Sequence, residues 1–238
     1  MKTVQQLINK YYPSEKHPHR IFERRIMKYI SKESILLDAG CGCNASVISQ
    51  FIGKAKKVIG VDKTNFSDEV KKLESEFIKC DLKNIPLESE SIDLVISRSV
   101  LEHIKYVDAI YKEINRILKT NGHFIFLVPN LWDYVSIISF IVPNSLHKKI
   151  LSQINPGRNK KDIFDVYYKS NTIRSIRNLA RKTGFKIISV EYLTNVPDML
   201  MFNPLLFRVG IIYDMVISKI KPLKFLKGWI LADLKKIN

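Results

Sequence analysis

The chain predicts an α/β fold on a mostly parallel sheet, and three observations carry that reading. Ile35-Leu36-Leu37 is an unbroken apolar run that ends in Asp38, Gly40 and Gly42. Such runs suit central strands covered on both faces, and the two glycines permit a sharp turn that a ligand can approach. Val58–Asp62, reading VIGVD, is a second apolar strand that ends in an acid. From there to about residue 130, strand-like and helix-like periods alternate, as in βαβ units.

The elements follow in order. Phe22, Ile26, Tyr29 and Ile30 share one face of a predicted amphipathic helix. Strands are predicted over 35–38, 57–62, 76–81, 92–97 and 123–128. A helix after Asn44 is expected to aim its N–H groups at a ligand in the glycine turn. Val107, Ile110, Tyr111, Ile114, Ile117 and Leu118 define a strongly periodic helix, with Asn121-Gly122 as its left-handed cap. Ile173, Ile176, Leu179 and Ala180 mark another, stopped at Thr183-Gly184, and a strand over 185–192 follows.

The first strand–turn–strand segment has the chemistry of a nucleotide-type site. Asp62 lies twenty residues beyond Gly42 at a strand end, where a carboxylate accepts bonds from both ribose hydroxyls. The spacing Gly40-Cys41-Gly42-Cys43-Asn44-Ala45 also fits a dinucleotide fingerprint. Asp38 opposes that alternative, because a diphosphate repels a carboxylate that an ammonium or sulfonium ligand attracts.

Later motifs complete the pattern. Asp38-Ala-Gly-Cys-Gly42, Asp62, Cys80-Asp81-Leu82, Ile92-Asp93-Leu94-Val95, Leu101-Glu102-His103-Ile104 and Leu118-Lys-Thr-Asn-Gly122 resemble, in order, the motifs of class I S-adenosylmethionine-dependent methyltransferases. They are similar to the broad subfamily that includes quinone-biosynthesis and other small-molecule enzymes. The resemblance covers residues 35–130 well and 185–193 loosely. It implies a doubly wound, mostly parallel seven-stranded Rossmann-like sheet closed by an antiparallel C-terminal hairpin. It implies S-adenosyl-L-methionine as cofactor, with Asp38 at its amino end, Asp62 on the ribose and Asp81 and Leu82 at the adenine edge. The backbone at Ser97 and Arg98 is then expected beside the methionine moiety.

His103 is the candidate general base, since imidazole titrates near neutrality. The alternative is that Glu102-His103 merely opens the next helix. His17 and His19 either close over the cofactor or lie on the surface, and Tyr167 and Tyr168 either line an acceptor pocket or pack in the core. No His, Asp or Glu cluster has metal-ligand spacing, and Cys41-x-Cys43 has no second pair, so no metal site is expected.

Composition bounds the rest. At 238 residues the chain is one α/β domain's worth. Three cysteines suit a reducing cytosol, and the N-terminus lacks a signal-peptide core. No apolar stretch reaches the ~18 residues of a membrane span. The net charge of +16 implies an anionic partner or a lysine-rich solvated face.

Two segments depart from the regular pattern. Residues 131–169 are aromatic, lysine-rich and without a clear strand, and are read as an acceptor lid. The hairpin strands are expected near 186–193 and 229–235. Between them residues 194–228 place Leu205, Leu206, Val209, Ile212, Tyr213, Val216 and Ile217 at helical spacing beside Lys219, Lys221, Lys224 and Lys227. That pairing suits an anionic membrane surface, making the protein cytoplasmic and peripheral, or an amphiphilic acceptor; the alternative is a helix packed on the sheet edge or on a second subunit.

The function expected is methyl transfer to a small-molecule, glycan or lipid-linked acceptor. One rival is RNA as acceptor, on the strength of the charge. Val128-Pro129-Asn130 lacks the Asn/Asp-Pro-Pro-aromatic signature of amino-group methylators. A second rival is a silent binding protein that kept the fold.

Overall fold

The computed structural model describes residues 3–141 and 165–237. A seven-stranded sheet forms its centre. The strands are β1 (Ile35–Ala39), β2 (Lys57–Asp62), β3 (Glu76–Lys79), β4 (Ile92–Arg98), β5 (Leu118–Pro129), β6 (Phe185–Leu193) and β7 (Trp229–Lys236), in the spatial order β3-β2-β1-β4-β5-β7-β6. Neighbours from β3 to β5 pair in parallel, and β7 runs antiparallel between β5 and β6. The chain leaves β1 toward β2 on one side and returns as β4 on the other. A crevice opens where strand order reverses, at the C-terminal ends of β1 and β4.

Helices cover both faces: α1 (Val4–Tyr11), α2 (Pro18–Ile26), α3 (Asp68–Lys71), α4 (Val107–Ile117), α5 (Tyr134–Ile141), α6 (Ile173–Lys182) and α7 (Pro204–Lys219). On one face Tyr111 of α4 and Ile176 of α6 pack with Phe124 and Phe126. On the other, Phe22 and Ile26 of α2 join Ile48, Phe51, Ile125 and Leu127. Leu7, Val196, Phe207 and Ile211 form a smaller core beneath α7.

Three sequence expectations are corrected. No α-helix follows Asn44: only a 3₁₀ turn, Ile48–Phe51, connects β1 to β2. The segment has few strong helix formers, and burying Ile48 and Phe51 in the core serves it instead. Helix α4 ends at Ile117, and Leu118 is already extended. Asn121 does adopt a left-handed φ of 69°, but within β5, where the pairing with β4 jumps from Ile92↔Leu118 to Leu94↔His123. Asn121-Gly122 therefore marks a bulge rather than a helix cap. Tyr29 and Ile30 lie beyond α2, Tyr29 at the end of a turn and Ile30 after it.

The segment read as a lid begins with α5, and its residues 142–164, including Pro143, Pro156, Gly157 and Phe164, lie outside the described residues. The hairpin is present, with α7 between its strands. No described helix is long and apolar enough to cross a membrane.

Candidate active site

The glycine turn is built by its neighbours. Gly40 and Cys41 both donate backbone N–H bonds to the Val61 carbonyl, which ties the turn to β2. Gly40 has φ +88°, and a Cβ there would meet Val100 Cγ2 at 2.5 Å. Gly42 has φ +73° and donates its N–H to Asp62 Oδ2 at 2.8 Å. Oδ1 of Asp62 accepts from the N–H and hydroxyl of Thr64, both at 2.9 Å. The carboxylate is thus fixed in direction, with Oδ1 filled and Oδ2 keeping acceptor capacity for a ligand hydroxyl.

Asp38 lies at the end of β1 and is 1% exposed. Its Oδ2 has no hydrogen-bond partner. Burial pushes its carboxyl up to about 7, opposed by the Arg98 guanidinium and reinforced by Asp62. An unpartnered carboxylate oxygen at this depth is unfavourable by itself and fits a cationic ligand group.

These residues open onto a cleft of ~810 Å³ that also takes in Asp81, Leu82, Arg98, Glu102, His103, Tyr106, Tyr167 and Trp229. Asp81 accepts from the Lys83 N–H at 2.9 Å, and that bond holds its carboxyl below the usual range. The Asp81–Leu82 loop is fixed from α4. Glu113 accepts from the Ile85 N–H, and Arg116 reaches the carbonyls of Ile85 and Leu87. Ser97 is placed differently from the other candidates: its hydroxyl donates to the Ala39 carbonyl at 2.8 Å, bridging β4 to β1. Its neighbours Arg98 and Ser99 line the cleft instead, Ser99 with a strained φ of 58°.

His103 lines the cleft as expected, in a 3₁₀ turn, Leu101–His103. Its Nδ1 lies 2.8 Å from the Asp165 carbonyl. A carbonyl only accepts, so Nδ1 carries a proton and Nε2 is the basic nitrogen of the neutral ring. Nε2 faces Glu102 Oε1 at 3.9 Å. Glu102 is the residue the sequence reading missed. It is 5% exposed, its Oε2 has no partner, and burial pushes its carboxyl up to about 7. Its carbonyl accepts from the N–H groups of Tyr167 and Tyr168, which ties that segment to the turn after β4. Tyr167 lines the cleft, whereas the Tyr168 ring is half-buried outside its lining.

The arrangement combines a buried, unpartnered acid at Asp38, a fixed acid at Asp62 and open space where a Cβ of Gly42 would point. Residues 37–126 match the family described as Methyltransferase domain. That match covers the sheet from β1 into β5. Proteins similar to this chain include a sterol 24-C-methyltransferase of Kluyveromyces lactis, 26% identical over 180 residues, covering 71% of this chain and 45% of the relative. An uncharacterised protein of Methanocaldococcus jannaschii is 27% identical over 216 residues, covering 85% and 83%. The chain spans about half the length, or slightly less, of the sterol methyltransferases it matches.

Solved structures share the fold. The YcgJ protein of Bacillus subtilis superposes with a TM-score of 0.56 at 16% identity, covering 92% of this chain and 99% of that one. A geranyl diphosphate C-methyltransferase of Streptomyces coelicolor, solved with Mg2+, geranyl diphosphate and S-adenosyl-L-homocysteine, gives 0.55 at 15% identity, covering 90% and 79%.

Among the described residues no group of three His, Cys, Asp or Glu side chains is placed to hold a metal ion.

Proposed function

We propose that this protein transfers a methyl group from S-adenosylmethionine to a small amphiphilic acceptor at a lipid surface, with residues 131–169 as the acceptor lid. The observation that carries the reading is the single cleft joining two buried, unpartnered carboxylates, Asp38 and Glu102. When bound, the cofactor supplies an electrophilic methyl group. Asp38 accepts from its ammonium and Asp62 Oδ2 from a ribose hydroxyl, while Asp81 and Leu82 border the adenine. Chemistry of this kind asks the protein mainly for orientation and exclusion of water, worth up to ~7–11 kcal/mol. Glu102, with a carboxyl near 7, accepts the proton that the acceptor releases, and His103 Nε2 beside it shares that proton.

A lipid surface is supported by α7. Phe207, Gly210, Ile211 and Ile217 face the core, yet Leu205, Val209 and Ile212 on the other face are 66, 56 and 61% exposed. Phe202 (70%) and the exposed Phe225 extend the patch, and Arg208, Lys219, Lys221 and Lys224 surround it. Apolar burial and attraction to anionic lipid then act together.

The test has two parts. Sedimentation with anionic vesicles should pull down the protein, neutral vesicles should not, and Lys221→Glu with Lys224→Glu should weaken the anionic binding. Methyl-labelled cofactor incubated with a lipid extract should put label in the organic phase, and Glu102→Gln should reduce that label ~10–100-fold at unchanged cofactor affinity. Label in RNA instead, with no vesicle binding, would move the acceptor to nucleic acid. Cofactor binding without any transfer would favour the silent binding protein.

A further inference from the structure

A second cavity adjoins the cofactor cleft. It is an open pocket of ~670 Å³ lined mainly by the N-terminal segment, with His17, His19, Arg20 and Tyr12 among its lining. Arg98 lines both this pocket and the cofactor cleft. The His17 and His19 rings meet edge-to-face at 4.7 Å, and His19 stands against Trp229 of the cleft at 5.7 Å. The two spaces therefore share a boundary of Arg98, His19 and Trp229.

Arg98 is half-buried, and among the described residues its guanidinium has no hydrogen bond or ion pair within 4 Å. Asp38 and Glu23 act on this guanidinium only at longer range, so its donors stay open to an acceptor that enters the pocket. The pocket's acids do not supply one. Glu23 is bonded to Arg20 at 2.7 Å, and Glu15 is exposed. The Tyr12 hydroxyl donates to Asp214, away from Arg98. The planar fork of arginine matches the oxygens of a phosphate with two parallel bonds.

We infer that this N-terminal pocket holds the anionic head group of the acceptor, a phosphate or diphosphate ester, with Arg98 as its anchor and His17 and His19 beside it. This rests on the reading of the adjoining cleft as the methyl-transfer site. It divides the acceptor between two compartments: the charged head beyond Arg98 and the reacting carbon or heteroatom near Glu102. The histidines report on the arrangement. Burial lowers both, and Arg98 lowers them further; Glu23 opposes this at both rings, Asp198 at His17, and Arg20 adds to it at both. A bound phosphate offsets the field of Arg98 and moves both rings toward protonation.

The test uses the full chain saturated with S-adenosylhomocysteine and titrated with inorganic diphosphate by calorimetry. Binding is expected, weakened at least ~10-fold by Arg98→Gln and less by Arg98→Lys, on the scale of a lost charge-assisted bond. Lys186→Gln, an exposed site on β6, should change nothing. Imidazole resonances of His17 and His19 should shift on adding diphosphate to the wild type and stay fixed in Arg98→Gln. The inference is overturned if diphosphate does not bind, or binds Arg98→Gln as well as wild type. It is also overturned if Arg98→Gln weakens S-adenosylhomocysteine but not methylthioadenosine, which lacks the amino-acid end, since Arg98 would then clamp the cofactor carboxylate. Failure of the wild type to bind S-adenosylhomocysteine would instead remove the methyl-transfer reading, and the acceptor assignment with it.

Discussion

Buried carboxylates occur in both halves of the sheet, and they are treated differently. Asp233 on β7 is 0% exposed and fully engaged. It accepts from the Tyr29 hydroxyl and from His123 Nδ1, both at 2.8 Å, with Arg25 at 3.6 Å. Tyr29 also stacks on His123 at 3.9 Å, so the cluster fastens α2 and the following turn to the antiparallel hairpin. Asp38 on β1 and Glu102 after β4 are buried to a similar degree, but each keeps an oxygen with no partner. A buried acid whose bonds are all made stabilises a fold. One held without them costs stability and is explained by a ligand that completes it.

The largest expected effect breaks the engaged side. Asp233→Ala leaves the Tyr29 hydroxyl and His123 Nδ1 without their acceptor, while Arg25 keeps Glu191, and should cost ~1–3 kcal/mol for each bond left unmade, read as a lowered midpoint in denaturant. Cofactor affinity of the folded fraction should stay within a few-fold. If affinity fell with stability, the two regions would not be independent.

The unengaged side should respond in the opposite sense. Asp38→Asn removes a desolvated charge with no partner to lose, so the unliganded protein should hold or gain stability. Affinity for S-adenosylhomocysteine should drop ~10–100-fold with the loss of a charge-assisted bond of ~1.5–3 kcal/mol. Calorimetry and thermal melts on the same sample decide it, and a destabilised Asp38→Asn protein with normal affinity would sink the assignment.

The smallest effect is the pH dependence that sharpens the contrast. Asp38 and Glu102 have folded values near 7, above their ordinary range. Between pH 4 and 7 the folded state holds more protons at these sites than the unfolded chain. Stability of the unliganded protein from these groups is therefore fully present near pH 4 and lost as pH rises through 7. Cofactor affinity should run the other way, rising as Asp38 ionises. Asp38→Asn should flatten both trends, and a wild-type affinity that fell from pH 6 to 8 would contradict the role given to Asp38.

Much of the cofactor side was readable in advance because its geometry is local. Asp38, Gly40, Gly42 and Asp62 lie on two adjacent strands and one turn, and the bond from Gly42 to Asp62 joins residues the spacing already paired. Ser97 shows the limit of that method. A strand-end position says which residue is near the site, but strand twist and the Ala39 carbonyl decide that its hydroxyl turns inward. The helix expected after Asn44 failed because the crossover is satisfied by burying Ile48 and Phe51 rather than by helical bonds.

The amino-acid sequence by itself determined the alternation of strands and helices, the glycine turn and its acids, because each depends on periods and spacings a few residues long. The tertiary structure alone decided that Glu102 is buried beside residues 167 and 168, that Arg98 stands between two cavities, and that one apolar face of α7 is left uncovered. Burial, and whether a buried group finds a partner, depend on segments distant in the chain, and no local pattern records which of them will meet.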